Sequence, residues 1–258
     1  MNLVLHGLES PKIDPLNSLR FPLREIGDKD RVDIIMTNPP FGGEEERGIL
    51  GNFPEDKQTS ETALLFLQLI MRKLKRPGSP SPSGRGKGEG ILTGGRAAVV
   101  VPNGTLFGDG VCARIKEELL KDFNLHTILR LPEGVFSPYT GIPTNVIFFD
   151  RSGPTNEVWY YEIPGREGKR YSKSRPMQFE EFCDCVAWWK TRKENEHSWK
   201  IHASEPLANG CNLDLRNPNS KLDIEHLPPE RLIQDIIDKE SRLLSIVQEV
   251  QLLLQAKQ

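Results

Sequence analysis

The sequence predicts an α/β fold on an open, mixed β-sheet, with a long helix at the C-terminal end. Three observations support this prediction. Short apolar runs typical of buried strands alternate with helices that have one apolar face. Two further apolar runs follow, separated by a short turn-forming stretch. A heptad pattern occupies the last part of the chain.

The first strand is predicted at residues 32–36, where a buried parallel strand would end in Asn-Pro-Pro. A helix is expected to follow, with Thr59 and Ser60 as candidate N-caps. Its apolar positions recur at helical spacing and define a core-facing side, namely Ala63, Phe66, Leu67, Ile70, Met71 and Leu74.

The same alternation continues with a strand at residues 97–101, a helix at residues 111–121 and a strand at residues 127–131. Strand–helix–strand order is typical of a doubly wound sheet with a parallel body. Residues 145–150 and 157–161 are predicted to pair as an antiparallel hairpin at one edge.

Composition divides the chain into three parts. Residues 1–205 are predicted to form a partial α/β domain, in which residues 77–95 form a flexible loop rich in Pro, Gly, Ser, Lys and Arg. Residues 206–228 are interpreted as a linker, and residues 229–258 as a helix that binds a partner.

Charge and cysteine content limit the possible functions. No apolar run is long enough to cross a bilayer and no secretion signal is evident, so we expect a cytoplasmic protein. The formal net charge of −2 gives no general attraction to nucleic acid, so DNA binding would need a local basic strip or a partner subunit. The four cysteines lack disulfide-framework or zinc-site spacing, and we expect reduced thiols and no metal.

The most informative motif is Asn38-Pro39-Pro40-Phe41, directly after the first predicted strand. Such a motif suits methylation of the exocyclic amine of adenine. This amine is a poor nucleophile because its lone pair is delocalised into the ring. The Asn38 amide oxygen and the Pro39 carbonyl could accept both amine hydrogens, while the two prolines fix the direction of that carbonyl. Phe41 would stack on a base extruded from the duplex. The alternative is a simple strand-terminating turn, because Asn-Pro often ends strands.

Longer stretches place this motif in context. The chain contains MNLVLHG, DIIMTNPPFGG, GRAAVVVPNGTLF, NLHTILRLPEGVFSPYTGIPTNVIFF and AWWKTRKENEHSW, in this order over roughly residues 1–200. Together they resemble the methylation subunit of type I restriction–modification systems, a family of adenine-N6 DNA methyltransferases. The resemblance implies a Rossmann-like methyltransferase sheet.

The resemblance also implies S-adenosylmethionine as methyl donor, adenine in double-stranded DNA as target, and action beside a specificity subunit and a restriction subunit. Asn38, Pro39, Pro40 and Phe41 match the catalytic motif of the family. Asn17 falls where the family often has an acidic or amide residue near the adenine of the cofactor.

One departure from the family pattern concerns the glycine-rich loop that holds the methionine end of the cofactor. In the family this loop lies well upstream of the catalytic motif, whereas only 37 residues precede Asn38 here, without a G-x-G. We therefore expect an N-terminally truncated domain, either one piece of a split subunit or a truncated gene product. An inactive remnant that only docks on partners and a protein glutamine methyltransferase are the alternative functions.

Three secondary features have both functional and structural interpretations. The basic run with one tyrosine could contact DNA phosphates or could be a solvated face; it comprises Arg166, Lys169, Arg170, Tyr171, Lys173 and Arg175. Residues 140–145 could line the pocket for the target base or could form a turn. The tryptophans at 188, 189 and 199 are expected to pin a C-terminal helix to the domain.

The heptad of the last helix places six apolar residues on a and d positions: Ile233, Ile236, Leu243, Val247, Val250 and Leu254. Glu240 interrupts the pattern at one a position. Two such carboxylates would face each other in a homodimer, so a helix of a different subunit is the favoured partner.

Overall fold

We analysed a computed structural model of the chain that describes residues 5–43, 45, 47–78, 94–166, 171–219, 233, 236–244 and 247. The chain divides into two compact units, Met1–Ser220 and Lys221–Gln258. In the second unit, residues 236–244 are helical, as predicted. Most of the predicted loop at 77–95 lies outside the described residues. The described part contains no helix that is long and apolar enough to cross a membrane.

The first unit is built on a six-stranded sheet in the order β1-β2-β4-β3-β5-β6. Its strands are β1 (Ile34–Thr37), β2 (Arg96–Pro102), β3 (Asn124–Arg130), β4 (Thr144–Asp150), β5 (Glu157–Glu162) and β6 (Ser198–His202). The helices are α1 (Arg47–Leu50), α2 (Thr62–Lys73), α3 (Gly104–Phe107), α4 (Val111–Asp122), α5 (Cys183–Thr191) and α6 (Ser204–Ala208). Single-turn 3-10 helices lie at Leu23–Glu25, Asp28–Asp30, Glu55–Lys57 and Phe179–Phe182.

The first three predicted strands and both long helices of this region are present. β1 pairs in parallel with β2, and β3 pairs in parallel with β5. Ile115 and Leu119 on α4 are buried against the sheet. The helix α2 begins at Thr62, with Glu61 as its N-cap, so Thr59 and Ser60 precede the cap instead of forming it.

The predicted hairpin is wrong. β4 pairs with β2 on one side and with β3 on the other, antiparallel to both, so it lies inside the sheet. β5 pairs with β3 and β6, so β3 separates it from β4. The reason lies in β4 itself: Ile147 and Phe149 enter one hydrophobic cluster, while Val146 and Phe148 pack against another. A strand that is apolar on both faces is stable only in the interior of a sheet.

The expected burial of β1 is also wrong for this structure. β1 is an edge strand, and Ile34 and Met36 are 51% and 80% exposed. Only Ile35 packs against the main core, on the side covered by α2 and α4.

The first unit extends beyond the predicted domain end at residue 205. Cys211 and Leu213 are buried, and the Tyr160 hydroxyl donates to the Leu213 carbonyl at 2.9 Å. Residues 206–219 therefore pack against the sheet, and the predicted linker differs from the structure over this stretch.

The tryptophans pack α5 and β6 onto the sheet, whereas the prediction was that they attach a C-terminal helix to the domain. The Trp199 ring on β6 stacks on Tyr160, with ring centroids 4.9 Å apart and an interplanar angle of 8°. Trp188 on α5 contacts Tyr161 and Trp159. Neither β6 nor α5 was predicted from the sequence.

Candidate functional site

The Asn38-Pro39-Pro40-Phe41 motif begins immediately after β1 ends at Thr37. Pro39 is buried, whereas Asn38 and Pro40 are exposed. Within the described part of the chain, no hydrogen bond engages the Asn38 side chain. The amide of Asn38 is thus held at the carboxyl end of a parallel strand, where open α/β sheets bind their ligands, and it is available to a ligand.

Phe41 is braced by an aromatic partner from a distant part of the chain. Its ring packs edge-to-face against Phe136, with centroids 5.1 Å apart and an interplanar angle of 71°. Phe136 lies in the segment between β3 and β4, where the Tyr139 and Thr140 amides both donate to its carbonyl. These bonds restrict the segment and thereby fix one side of the Phe41 ring.

The end of the motif is anchored to the start of α2. Gly43 has a φ of +120°, a conformation that favours glycine, and its carbonyl accepts a hydrogen bond from the buried Thr62 hydroxyl at 3.1 Å. The Glu45 amide donates to the Ser60 carbonyl at 3.2 Å. The loop is therefore fixed at both ends, by β1 and by α2.

Asn17 lies beside this loop. Its side-chain amide donates to Glu45 Oε2 at 3.3 Å, and its oxygen accepts from the Leu19 amide at 2.9 Å. The bond to Glu45 is at the surface, so a ligand could compete for it, whereas the bond from the Leu19 amide is partly buried. The structure thus brings Asn17 and the Asn38 loop together through Glu45, a residue that the sequence analysis did not select.

A polar network lies at the same end of the sheet, and of its members only Asn145 belongs to a segment that the sequence analysis selected. The Asn145 amide at the start of β4 donates to Asn103 Oδ1 at 3.0 Å, and Asn103 in turn donates to Asp214 at 3.1 Å. Asp214 pairs with Arg130 at the end of β3, at 2.8 Å. The sequence signal was weak, because these residues are spread over 111 positions and meet only in the folded chain.

This network bears on the predicted pocket at residues 140–145. Asn145 is only 2% exposed, and the Asn103 amide donates to the Pro143 carbonyl at 2.9 Å. The segment therefore enters the same edge of the sheet as Asn38, but Asn145 faces inward. The Thr140 hydroxyl accepts a hydrogen bond from the Ile142 amide and so stabilises a local turn.

The basic run is in part an internal structural cluster. Arg166 forms a two-pronged ion pair with Glu181 and lies over the Tyr171 ring at 4.6 Å. Tyr171 is 5% exposed and donates its hydroxyl to Glu181, so its ring is packed inside the protein and is not open to DNA. Hydrogen bonds from Arg166 and Tyr171 help to lower the pKa of Glu181 to about 2.

The remaining members of the basic run are divided by their exposure. Lys173 and Arg175 are exposed, while Lys169 and Arg170 lie outside the described residues. The four cysteines are free thiols, and burial raises the pKa of both Cys112 and Cys185 to about 11. In the part of the chain that the structure describes, no group of His, Cys, Asp and Glu side chains could hold a metal ion.

Comparison with known proteins gives a consistent result. The family profile described as N-6 DNA Methylase matches residues 1–81 and 89–226. The EcoEI type I restriction enzyme methylase subunit of Escherichia coli is 48% identical over 242 residues, which cover 90% of this chain and 46% of that subunit.

Two solved structures are also similar. The modification subunit of a putative type I restriction enzyme from Vibrio vulnificus is 64% identical with a TM-score of 0.78, covering 87% of this chain and 46% of that one. A chain from a structure of a type I R-M system is 39% identical with a TM-score of 0.73, covering 100% of this chain and 52% of that one. The chain spans about half the length of these relatives, and it belongs to the N-6 DNA Methylase family.

Proposed function

We propose that this chain supplies the target-base side of an enzyme that methylates N6 of adenine in double-stranded DNA, as part of a type I restriction–modification methylase. The main support is the Asn38-to-Phe41 loop at the carboxyl end of β1. It combines an available amide, a buried proline and a braced aromatic ring in one tethered segment.

The chemistry of the loop suits an exocyclic amine. The Asn38 side-chain oxygen and the Pro39 carbonyl accept the two amine hydrogens, which draws the nitrogen toward tetrahedral geometry and frees its lone pair for attack. Phe41 stacks on the extruded adenine, and Phe136 prevents the Phe41 ring from turning away. Asn38 is uncharged and serves as an acceptor, so it does not take up the amine proton. Once the methyl group has been transferred, the amine loses this proton to solvent or to another group.

We propose S-adenosylmethionine as the cofactor, which supplies an electrophilic methyl group when bound. The donor set beside the motif fits its polar groups: Asn17 offers an amide, and Glu45 offers a carboxylate whose oxygens contact Asn17 and Thr62. These two residues would hold the hydroxyl or amino groups of the cofactor, close to the loop that positions the target base.

The proposed partners are a specificity subunit, a restriction subunit and duplex DNA, which place the enzyme in the cytoplasm. Lys173 and Arg175 remain exposed candidates for phosphate contacts, and Lys169 and Arg170, close to them in the sequence, stay candidates as well. Because the net charge is −2, a partner subunit must supply much of the attraction to DNA. In the second unit, Ile236 and Leu243 of the heptad are 59% and 63% exposed and form the proposed docking surface.

The test uses a chimera in which this chain is joined to the part of the E. coli EcoEI methylase subunit that lies outside the matched region. The chimera is co-expressed with the specificity subunit of that system, and N6-methyladenine is measured by mass spectrometry. Asn38→Ala should lower the methylation rate by roughly 100-fold to 1,000-fold, because one preorganised acceptor is lost. Binding of S-adenosylmethionine should change less than about twofold.

The matched control is Asn209→Ala, at an exposed asparagine outside the loop. This variant should methylate at the rate of the unmodified chimera. Near-normal methylation by Asn38→Ala would refute the assignment of the motif. Methylated glutamine in the absence of methyladenine would instead favour the glutamine methyltransferase.

A further inference from the structure

A cavity of about 1000 Å³ lies at the end of the sheet where β1 and β2 begin, opposite to the end that carries Asn38. Its walls are the turns at residues 22–24 and 51–58, the C-terminal halves of α2 and α4, and the turn at residues 151–154 after β4. Since β4 runs antiparallel to β2, this last turn lies where β1 and β2 begin. Small-molecule sites usually measure roughly 300–1,000 Å³, so the cavity is large enough for a nucleotide-sized ligand.

The lining is charged and mainly basic. It carries five basic side chains, Arg24, Lys57, Arg72, Lys121 and Arg151, and three acidic ones, Glu55, Glu118 and Asp122. Two of the basic groups are neutralised, because Lys57 pairs with Glu118 and Lys121 pairs with Glu117. No carboxylate of the described residues pairs with any of the three arginines.

Two of these arginines are held in place by the backbone. Arg72 Nε donates to the Leu23 carbonyl at 3.1 Å, and Arg151 donates through its terminal nitrogen to the Met71 carbonyl at 2.6 Å. The Arg151 guanidinium also lies over the Phe123 ring at 4.4 Å. Both side chains are therefore partly buried and oriented by neutral acceptors. Among the described residues no carboxylate forms an ion pair with either, and the Asp122 charge acts on Arg151 only from a greater distance.

Capping of α2 accounts for only part of this arrangement. Arg31 bonds the Arg72 and Leu74 carbonyls, and Arg151 bonds the Met71 carbonyl, so these two arginines satisfy the C-terminal turn. Arg72 and Arg24 do not cap α2, and within the described part their terminal nitrogens have no acceptor. Burial, followed by the nearby Arg31, Arg76 and Arg72 charges, lowers the pKa of Arg151 to about 10, and the Asp122 charge opposes this shift only in part.

We propose that this cavity binds a phosphate group through Arg24, Arg72 and Arg151. Guanidinium groups present planar pairs of N–H donors that match phosphate oxygens, and a bound anion would relieve the repulsion among the arginines. The phosphate could belong to a small phosphorylated ligand or to the backbone of a nucleic acid, and the chemistry of recognition is the same. The site is distinct from the methyl-transfer edge, so it does not depend on the proposed function.

The first experiment is isothermal titration of the full chain with inorganic pyrophosphate, at constant ionic strength. We expect saturable binding that Arg72→Gln and Arg24→Gln each weaken about tenfold. The matched control is Arg114→Gln, which also removes one positive charge from the neighbourhood but does not line the cavity. It should change the affinity less than about twofold.

The second arm identifies the source of the phosphate. Binding of AMP but not of adenosine would support a small phosphorylated ligand, and displacement of a labelled short duplex by pyrophosphate would support a nucleic-acid backbone. Arg24 is exposed, so its replacement leaves the fold intact and keeps the test decisive even if another variant unfolds. Absence of saturable binding of pyrophosphate and duplex alike, or an equal loss in Arg114→Gln, would overturn the proposal.

Discussion

His126 on β3 should make the stability of the first unit fall between pH 7 and pH 5. Its ring is enclosed by Trp189 of α5 and by Phe148 of β4, with centroids 6.0 Å and 6.4 Å away. Nδ1 lies 3.3 Å from a terminal nitrogen of Arg192, which can donate to it only while the imidazole is neutral. Burial, followed by the Arg192 charge, lowers the pKa of His126 to about 4.

The sign and size of the effect follow from linkage. A histidine whose pKa is lowered in the folded state is protonated more readily in the unfolded state, so its contribution is present above pH 6.5 and is lost as the pH falls toward 4. With these two pKa values, the loss in the free energy of unfolding is about 2 kcal/mol between pH 7 and pH 5 and about 3 kcal/mol by pH 4. Glu181 adds a further loss only below its unfolded pKa of 4.5, so it does not contribute in the upper part of this window.

The assay is urea unfolding at pH 7 and pH 5, followed by tryptophan fluorescence, because Trp189 contacts the imidazole. The comparison is with His126→Gln, which has a similar polar side chain that does not titrate in this range. The variant should lose less than about 0.5 kcal/mol over the same interval, since the titrating group has been removed. Equal losses in both proteins would show that protonation of His126 does not control the pH dependence.

Three other outcomes follow from the packing. Ile115→Ala should lower the free energy of unfolding by about 2–5 kcal/mol, because Ile115 is fully buried against the sheet. Urea titration measures this loss, and a value below about 1 kcal/mol would contradict the packing. Lys116→Met should change the free energy of unfolding by less than about 1 kcal/mol. Among the described residues the buried ammonium has one acceptor, the Leu106 carbonyl, and this carbonyl keeps its bond from the Leu213 amide in the variant. A large loss would show that the Lys116 bond is essential. Removal of residues 229–258 should leave the circular dichroism expected for the first unit but abolish co-purification with the specificity subunit, and retained co-purification would refute the docking role.

The strands and helices with a clear apolar period could be predicted from the sequence. β2 and α4 are examples, because Val99, Val101, Ile115 and Leu119 repeat at the period of their own element and all enter the main core. Strand order could not be predicted in the same way. Residues 151–156 look like a hairpin turn, but pairing depends on which neighbours can cover both faces of β4, and this is a property of the whole sheet.

The candidate site likewise contains some residues that the sequence can predict and others that it cannot. Asn38 to Phe41 form one contiguous stretch after a strand, so both their chemistry and their place at the edge of the sheet are visible in the sequence. Phe136 comes from the segment after β3, and Glu45 meets Asn17 across 28 positions. No local pattern marks such partners, because their roles arise from contacts between segments that are distant in the chain.

Functional residues at the two ends of the sheet are therefore not equally easy to recognise from the sequence. At the carboxyl ends of β1, β2 and β3, polar residues follow strands directly, and the topology itself gathers them, as Asn38 and Asn103 show. At the opposite edge, Arg72 and Arg151 belong to the end of a helix and to a turn, where a basic residue is commonly interpreted as a cap or a solvated side chain. Their burial, and the lack of a paired carboxylate among the residues that the structure describes, distinguish them, and both become visible once the helices are packed on the sheet.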